Sequence, residues 1–426
     1  MIFTCENGIA FQRDFVYNVA QKTNSLDAIS LTNENPMTLR LVCTADNHLG
    51  RYYGKMNVKQ LTERRKRLRD AFAQAVDFAI TKRAHFFLQC GDLFDREAPP
   101  PAELTFVAQQ FQKLREANIR IYAISGNHDM PTSSEGATPV RIYDALRAAR
   151  VFTKRTEIEF DLIKVEGQTV AIGGIAPDPR LDANADPLNE VEYQSPKADV
   201  TLLLLHCGFE DCVPPGFAEA VLPKARIAQM QDIDYFFLGD LHRTHKAIVE
   251  RSTVIIPGAT ERMTFGEIDE RAGFYYVELA GRDAVKLQHQ PIEPQPMRRE
   301  IIRTTDLPDD APTEYVFDKL QEWADTEQMM QLRIEGPLER EVYHHLKFFD
   351  IWRLGNELNF YFDLDRADVK LKSENANDSV GGGEVVSIRQ EIERVADEFA
   401  AQRQGDDRAL IEEAREMVLA RMSREA

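Results

Sequence analysis

The stretch Ile121-Tyr122-Ala123-Ile124-Ser125-Gly126-Asn127-His128-Asp129 runs a short apolar segment straight into a loop of small, amide, imidazole and carboxylate side chains. Four other segments repeat the pattern: Leu41–Ala45 into Asp46-Asn47-His48, Phe86–Cys90 into Gly91-Asp92, Leu202–Leu205 into His206, and Tyr235–Leu238 into Gly239-Asp240-Leu241-His242. One Asp or His after a strand is ordinarily a cap or a turn residue. Five such loops in order predict an α/β sheet with one crevice at the C-terminal ends of its strands, where such sheets hold their chemistry. Between the loops, Leu68, Phe72, Ala75, Val76, Ala79 and Ile80 recur at helical spacing and predict a helix over 61–83. Pro99-Pro100-Pro101 opens a second helix over 102–117, since proline suits a first turn. Strand-like runs at 168–174, 253–256 and Phe274–Leu279 extend the sheet. Alternation of this kind from Thr38 to about residue 285 implies a layered α/β unit.

The chain has 426 residues, 43% hydrophobic and 29% charged, which is the balance of a globular protein with a large core and room for accessory units. No run approaches the roughly 18 apolar residues of a membrane span. Nor does a basic segment followed by an apolar one open the chain, so no secretory signal is expected. Its cysteines, Cys5, Cys43, Cys90, Cys207 and Cys212, are odd in number and form no CxxC pair, which predicts reduced thiols and a cytoplasmic setting. The formal charge of −18 argues against unaided nucleic-acid binding. Positive charge would have to be local, supplied by metal ions, or lent by a partner.

The loop residues are hard-to-borderline oxygen and nitrogen donors of the kind manganese, iron or zinc accept. Two divalent ions facing a phosphodiester need a carboxylate able to bridge, several neutral imidazoles, and an acid near the leaving group. Asp92 is the natural bridge, because its two oxygens can be shared. Asp46, His48, Asn127, His206, Asp240 and His242 supply the remaining donors. His128, beside a ligand without being needed as one, is placed to protonate the departing oxygen or stabilise its charge.

Read together, the loops resemble the calcineurin-like metallophosphoesterase superfamily: D-x-H, GDxxD, GNHD, a lone His after a strand, and a final GHxH, over about residues 40–265. Within it the chain looks similar to the nuclease subunit of the bacterial SbcCD complex and its archaeal and eukaryotic double-strand-break-repair counterparts. Cys43–Gly50, Gly91–Asp95, and Pro257–Arg262 leading to Phe265-Gly266-Glu267 carry that closer likeness. The resemblance implies a four-layer α/β metallophosphoesterase β-sandwich flanked by helices, with a small α+β cap and a C-terminal two-helix tail. It implies two Mn2+, with Mg2+ or another divalent ion as substitutes: Asp46, His48 and His242 around one, Asn127, His206 and Asp240 around the other, Asp92 between them. His128 would be the catalytic histidine. The implied activity is 3′–5′ exonuclease action on duplex ends and endonuclease action on single strands or hairpins. The implied partners are DNA, an SMC-like coiled-coil ATPase of SbcC type bound through the tail, and a second copy of the chain. A nucleoid-associated protein of the cytoplasm is thus expected.

The expected organisation is an extension at 1–36, dispensable for the metal site, a nuclease domain at 37–285 and a capping domain at 286–374. A glycine-rich linker at 375–386 and a helical tail at 387–426 complete it. In the tail Leu410, Ala414, Met417, Val418 and Met422 form an apolar stripe that two helices alone cannot bury. One motif departs from the family: Gly239-Asp240-Leu241-His242 stands where Gly-His-x-His is usual. An aspartate there is harder than histidine and makes the site one charge unit less positive; His245 is the substitute ligand if Asp240 does not serve. Arg51 to Arg69 holds eight basic residues and one acid, Glu63. These read either as a solvated helix face or as a phosphate-tracking patch, with Arg51 and Lys55 nearest the metals and Tyr52 or Tyr53 free to stack on a base. Arg243 and Arg262 flank metal loops as further DNA contacts. Trp323 and Trp352 are expected to pack in the cap. Two rival readings are a phosphodiesterase for small nucleotides and a scaffold whose metal site Asp240 has impaired.

Overall fold

The computed structural model describes residues 38–131, 136–214, 216–372 and 385–386, with scattered helical positions between 392 and 419. The extension at 1–36, the linker apart from Val385–Val386, and most of the tail lie outside the described residues. The first strands are β1 (Leu39–Thr44), β2 (Phe86–Cys90), β3 (Arg120–Ile124) and β4 (Arg150–Phe152), followed by β5 (Glu159–Val165), β6 (Gln168–Gly174) and β7 (Val200–His206). A short pair, β8 (Gly208–Phe209) and β9 (Val221–Leu222), precedes β10 (Tyr235–Gly239), β11 (His245–Val249), β12 (Ser252–Ile256), β13 (Gly273–Ala280) and β14 (Asp283–Pro291).

These strands form two six-stranded sheets, ordered β14-β13-β1-β2-β3-β4 and β11-β12-β10-β7-β6-β5. The two sheets are those of the sandwich that the family resemblance implies, and they divide the donor loops: β1, β2 and β3 carry three of them, and β7 and β10, in the other sheet, carry two. In both, the central strands are parallel and the antiparallel ones lie at the edges. Side chains alternate between faces, as a strand requires. Leu41, Cys43, Phe86, Leu88 and Tyr122 point into a shared core with Ile172, Leu202, Leu204, Phe237 and Ile255 of the facing sheet. Their neighbours Val42, Phe87, Ile121 and Ala123 point outward, onto helices α1 (Val58–Thr81) and α2 (Pro101–Glu116). The outer face of the second sheet is covered by Leu188, Phe209 and Ile227. Four layers result, with the donor loops emerging at the edge where the sheets meet.

Helix α1 begins at a reciprocal cap: Asn57 Oδ1 accepts the Gln60 N–H at 3.0 Å and Gln60 Oε1 accepts the Asn57 N–H at 2.9 Å. Two short helices, α3 (Arg141–Ala145) and α4 (Lys224–Gln229), complete this part.

A further sheet is built from β15 (Met297–Arg303), β16 (Asp325–Leu338), β17 (Asn359–Asp365), β18 (Val369–Lys372) and β19 (Val385–Val386). With α5 (Pro312–Glu322), α6 (Arg340–His345) and α7 (Phe348–Leu358) it encloses a core of its own around Val316, Leu320, Met330, Leu332 and Ile351. Trp323 joins that core, whereas Trp352 is 44% exposed beside the more exposed Phe349. Packing therefore accounts for only one of the two tryptophans. This sheet is fastened to the first part by an apolar cluster of Met56, Met329 and Tyr361, and by polar links. Gln60 Nε2 donates to the Phe360 carbonyl at 2.6 Å, Lys55 pairs with Asp363 at 2.9 Å and Arg67 with Glu327 at 2.6 Å. Among the described residues no helix is long and apolar enough to cross a membrane.

Candidate metal centre

Main-chain hydrogen bonds shape the crevice before any side chain does. The Asp46 N–H donates to the Gly91 carbonyl at 3.1 Å, and those of Asn47 and His48 to the Asp92 carbonyl at 2.9 and 3.0 Å. Asp46, His48, Asp92 and Asp240 all have φ between 45° and 88°, a region non-glycine residues seldom occupy and which gathers at functional sites. Close approach explains two glycines. A Cβ on Gly126 would strike Asp92 Oδ1, and one on Gly239 would strike the Cys90 carbonyl.

Asp46, His48, Asp92, Asn127, His206, Asp240 and His242 come together in this crevice. Each imidazole turns its Nδ1 toward an acceptor. His206 Nδ1 donates to the Cys90 carbonyl at 2.8 Å, His242 Nδ1 lies 3.1 Å from Glu267 Oε1, and His48 Nδ1 lies 3.3 Å from Asp95 Oδ1. His48 Nδ1 makes no hydrogen bond at that distance, so His206 and His242 are the rings tethered through Nδ1 in the way common to ligating histidines, with Nε2 left to the crevice. The Nε2 atoms of His48 and His242 are 3.0 Å apart. Asp92 Oδ2 lies between His48 Nε2 at 3.5 Å and His206 Nε2 at 3.4 Å, while its Oδ1 accepts the His128 backbone N–H at 2.9 Å. Asn127 Oδ1 and Asp240 Oδ1 stand 3.3 and 3.8 Å from His206 Nε2. The Asp240 N–H donates to Asp46 Oδ1 at 2.9 Å.

Three triads have donor atoms within 4.8 Å of one another: Asp46-His48-His242, Asp46-Asp92-His206 and His48-Asp92-His128. Asp46 and Asp92 each serve two of them. The Oδ2 atoms of Asp46 and Asp240 are buried without a hydrogen-bond partner. A buried carboxylate oxygen is costly to leave unanswered, so this donor set fits divalent cations.

Electrostatics agree. Burial would lower His242, but the Glu267 hydrogen bond and the nearby Asp46 charge outweigh it and raise it to about 9. Burial likewise opposes His206, yet Asp92, Asp240 and Asp46 hold it well above the usual imidazole range. For Asp92, burial is overcome by His206, His48 and His128, and the carboxyl stays below its ordinary range. Asp240 is pushed up to about 7 by burial, against His206, with Asp46 and Asp92 adding repulsion. His48 is lowered chiefly by burial. The clustered carboxylates thus draw positive charge onto His206 and His242, while burial keeps His48 low.

His128 is exposed at the rim, its ring edge-on to His48 with centroids 4.7 Å apart. His245 lies on β11 against Phe209; neither it nor Asp240 belongs to the three triads, but Asp240 stands 3.8 Å from His206 Nε2 and its N–H donates to Asp46. Of the expected DNA contacts, Arg51 is held by Asp95 at 2.9 Å and Tyr52 is 57% exposed. Lys55 reaches Asp363, Arg243 pairs with Glu270 at 3.1 Å, and Arg262 Nε donates to the Glu270 carbonyl at 3.0 Å. Much of the basic run is engaged within the protein. Arg65 donates to the Arg51 and Gly50 carbonyls, Arg69 pairs with Glu103 at 2.8 Å, and Arg64 is fully buried.

Three supporting residues escaped assignment from sequence. Asp95 and Glu267 face His48 and His242, and Asp129 holds the turn that carries Asn127 by accepting the Gly126 N–H at 2.7 Å and the Phe94 N–H at 3.2 Å. Glu267 lies in a stretch that carried the family likeness, but its spacing alone does not tie it to a histidine 25 residues earlier.

With fold and crevice in view, the class is plain: residues 39–244 match the calcineurin-like phosphoesterase family, and the chain carries a domain of that family. Its relatives are more particular. The chain is 28% identical over 256 residues to the DNA double-strand break repair protein Mre11 of Methanocaldococcus jannaschii, covering 58% of this chain and 64% of that protein. It is 28% identical to the same-named protein of Methanococcus maripaludis, covering 57% and 64%, and 24% identical to that of Sulfurisphaera tokodaii, covering 77% and 82%. The first two matches take in less than two thirds of the archaeal proteins.

Proposed function

We propose that this chain is a manganese-dependent DNA nuclease of double-strand-break repair. The observation that carries the reading is the convergence of three imidazole Nε2 atoms, Asp92 Oδ2 and two unanswered carboxylate oxygens in one crevice. Asp46, His48 and His242 would hold one ion, Asn127, His206 and Asp240 the other, with Asp92 shared. Two such ions, when bound, neutralise phosphate charge and make water a competent nucleophile near neutral pH. The chain's own residues do the rest. Glu267 and the Cys90 carbonyl orient His242 and His206, and Asp92 would be the carboxylate shared by the two ions. His128, at the rim beside His48, supports the departing 3′ oxygen. Exposed Tyr52 would be free for a base, and Arg51, held by Asp95, would offer charge to a phosphate.

The name shared by the archaeal relatives, DNA double-strand break repair protein, supports DNA as substrate; the activity we propose on it is 3′–5′ exonuclease action on duplex ends and endonuclease action on single strands or hairpins. The further sheet would serve as the cap. The exposed Ala414 and Met417 of the tail suit docking on a coiled-coil ATPase, and we place the working form as a homodimer in the cytoplasm. The test is manganese-dependent digestion of end-labelled duplex and circular single-stranded DNA. Wild type degrades both, and His128→Ala loses about 100- to 10,000-fold in rate while still binding manganese. Equal turnover of a cyclic mononucleotide would favour a small-nucleotide phosphodiesterase, and manganese binding without any cleavage would favour a scaffold.

A further inference from the structure

The most deeply buried charge in the basic run is held by protein groups that lead along the chain to the metal crevice. Arg64, on α1, is fully buried. Its guanidinium donates to Gln295 Oε1 at 3.1 Å, to the Tyr53 hydroxyl at 3.3 Å and to the Arg262 carbonyl, and lies 3.4 Å from Glu261 Oε1. Glu261, also buried, accepts backbone N–H groups of Arg262 at 2.8 Å and of Gln295 at 3.2 and 3.1 Å. The 261–262 turn is therefore gripped from below at side chain and main chain.

The next residue transmits that grip. The Met263 N–H donates to Glu267 Oε2 at 2.7 Å, and Thr264 Oγ1 donates to Glu267 Oε1 at 3.0 Å. The same Oε1 faces His242 Nδ1 at 3.1 Å. With Nδ1 committed, His242 presents Nε2 to the crevice, 3.0 Å from His48 Nε2.

We propose that Glu267 is a positioning residue for His242, and that Arg64 acts through the 261–263 turn to aim Glu267. Resting on the two-metal reading above, the proposal adds which residues outside the crevice set the strength of the ion held by His242. Glu267 acts as hydrogen-bond acceptor, so an isosteric amide serves in part and an apolar side chain does not.

The test is manganese titration calorimetry on the full chain without DNA, with thermal unfolding and circular dichroism as checks on folding. Wild type takes up two ions. Glu267→Leu weakens one of them by about 10- to 100-fold and spares the other, and Glu267→Gln recovers most of that loss. Arg64→Lys, which cannot span all four partners, shifts the same ion in the same direction by less. Lys66→Ala on the same helix, whose ammonium pairs only with exposed Asp70, leaves both ions as in wild type. Two tight ions in folded Glu267→Leu, or equal losses in the Gln and Leu variants, would overturn the Glu267 assignment. A folded Arg64→Lys with unaltered binding would overturn the Arg64 link. Should Arg64→Lys not fold, Glu261→Gln, which keeps the arginine, takes its place, with the same shift expected and unaltered binding overturning the link. Wild type binding no manganese at all would instead defeat the two-metal reading, and this inference with it.

Discussion

Two buried charged regions lie at opposite ends of the 261–267 segment and behave in opposite ways. At the junction with the further sheet, Arg64 is answered wholly by protein: Gln295, Glu261, Tyr53 and the Arg262 carbonyl satisfy it. In the crevice, similar residue types leave Asp46 Oδ2 and Asp240 Oδ2 with no partner and force two imidazole nitrogens within 3.0 Å. Burial and charge are common to both. What separates them is closure: a finished network is scaffolding, and one that stops short of completion by a cation is a site.

That contrast can be broken most forcefully at the junction. Arg64→Met strands Glu261 in the interior and is expected to cost about 3–5 kcal/mol in urea denaturation, whether or not manganese is present. A result near zero would mean the network is not structural. In the crevice the dependence is reversed. Manganese at 1,000 times its dissociation constant should stabilise the wild type by about 4 kcal/mol, and Asp92→Asn should lose most of that gain with little change in the chelator-treated protein, read by thermal shift.

The third prediction concerns pH. The Asp240 carboxyl titrates at about 7 in the fold because burial and neighbouring carboxylates oppose its charge, against about 3.9 in an unfolded chain. Between these values the folded state binds more protons than the unfolded one, so metal-free stability falls as pH rises from about 4 through about 7. Asp240→Asn should flatten that decline, and denaturation at pH 5 and pH 8 with chelator present measures it. An unchanged slope would remove Asp240 from the account. The smallest effect belongs to a charge that is neither buried nor needed. Lys66→Ala breaks the exposed i,i+4 pair with Asp70 and should alter stability by about 0.5 kcal/mol or less.

The donor loops were legible in the sequence because each couples an apolar strand to residue types that only a loop would expose. Which strand belongs to which sheet of the expected sandwich was not. Phe86–Cys90 and Tyr235–Gly239 are buried on both faces, and nothing local in such a strand states which neighbour it pairs with. Arg64 was illegible for a related reason: at helical spacing it looks like any basic residue of a solvated face, and its buried partners Glu261 and Gln295 lie some 200 residues on.

The left-handed main-chain turns at Asp46, His48, Asp92 and Asp240 have a consequence for how the protein handles different ions. A mould cast in peptide geometry does not remodel itself around its contents. Exchanging manganese for a larger or smaller cation should therefore leave the loops superimposable, with misfit appearing as poor coordination and slow turnover instead of as movement of the chain.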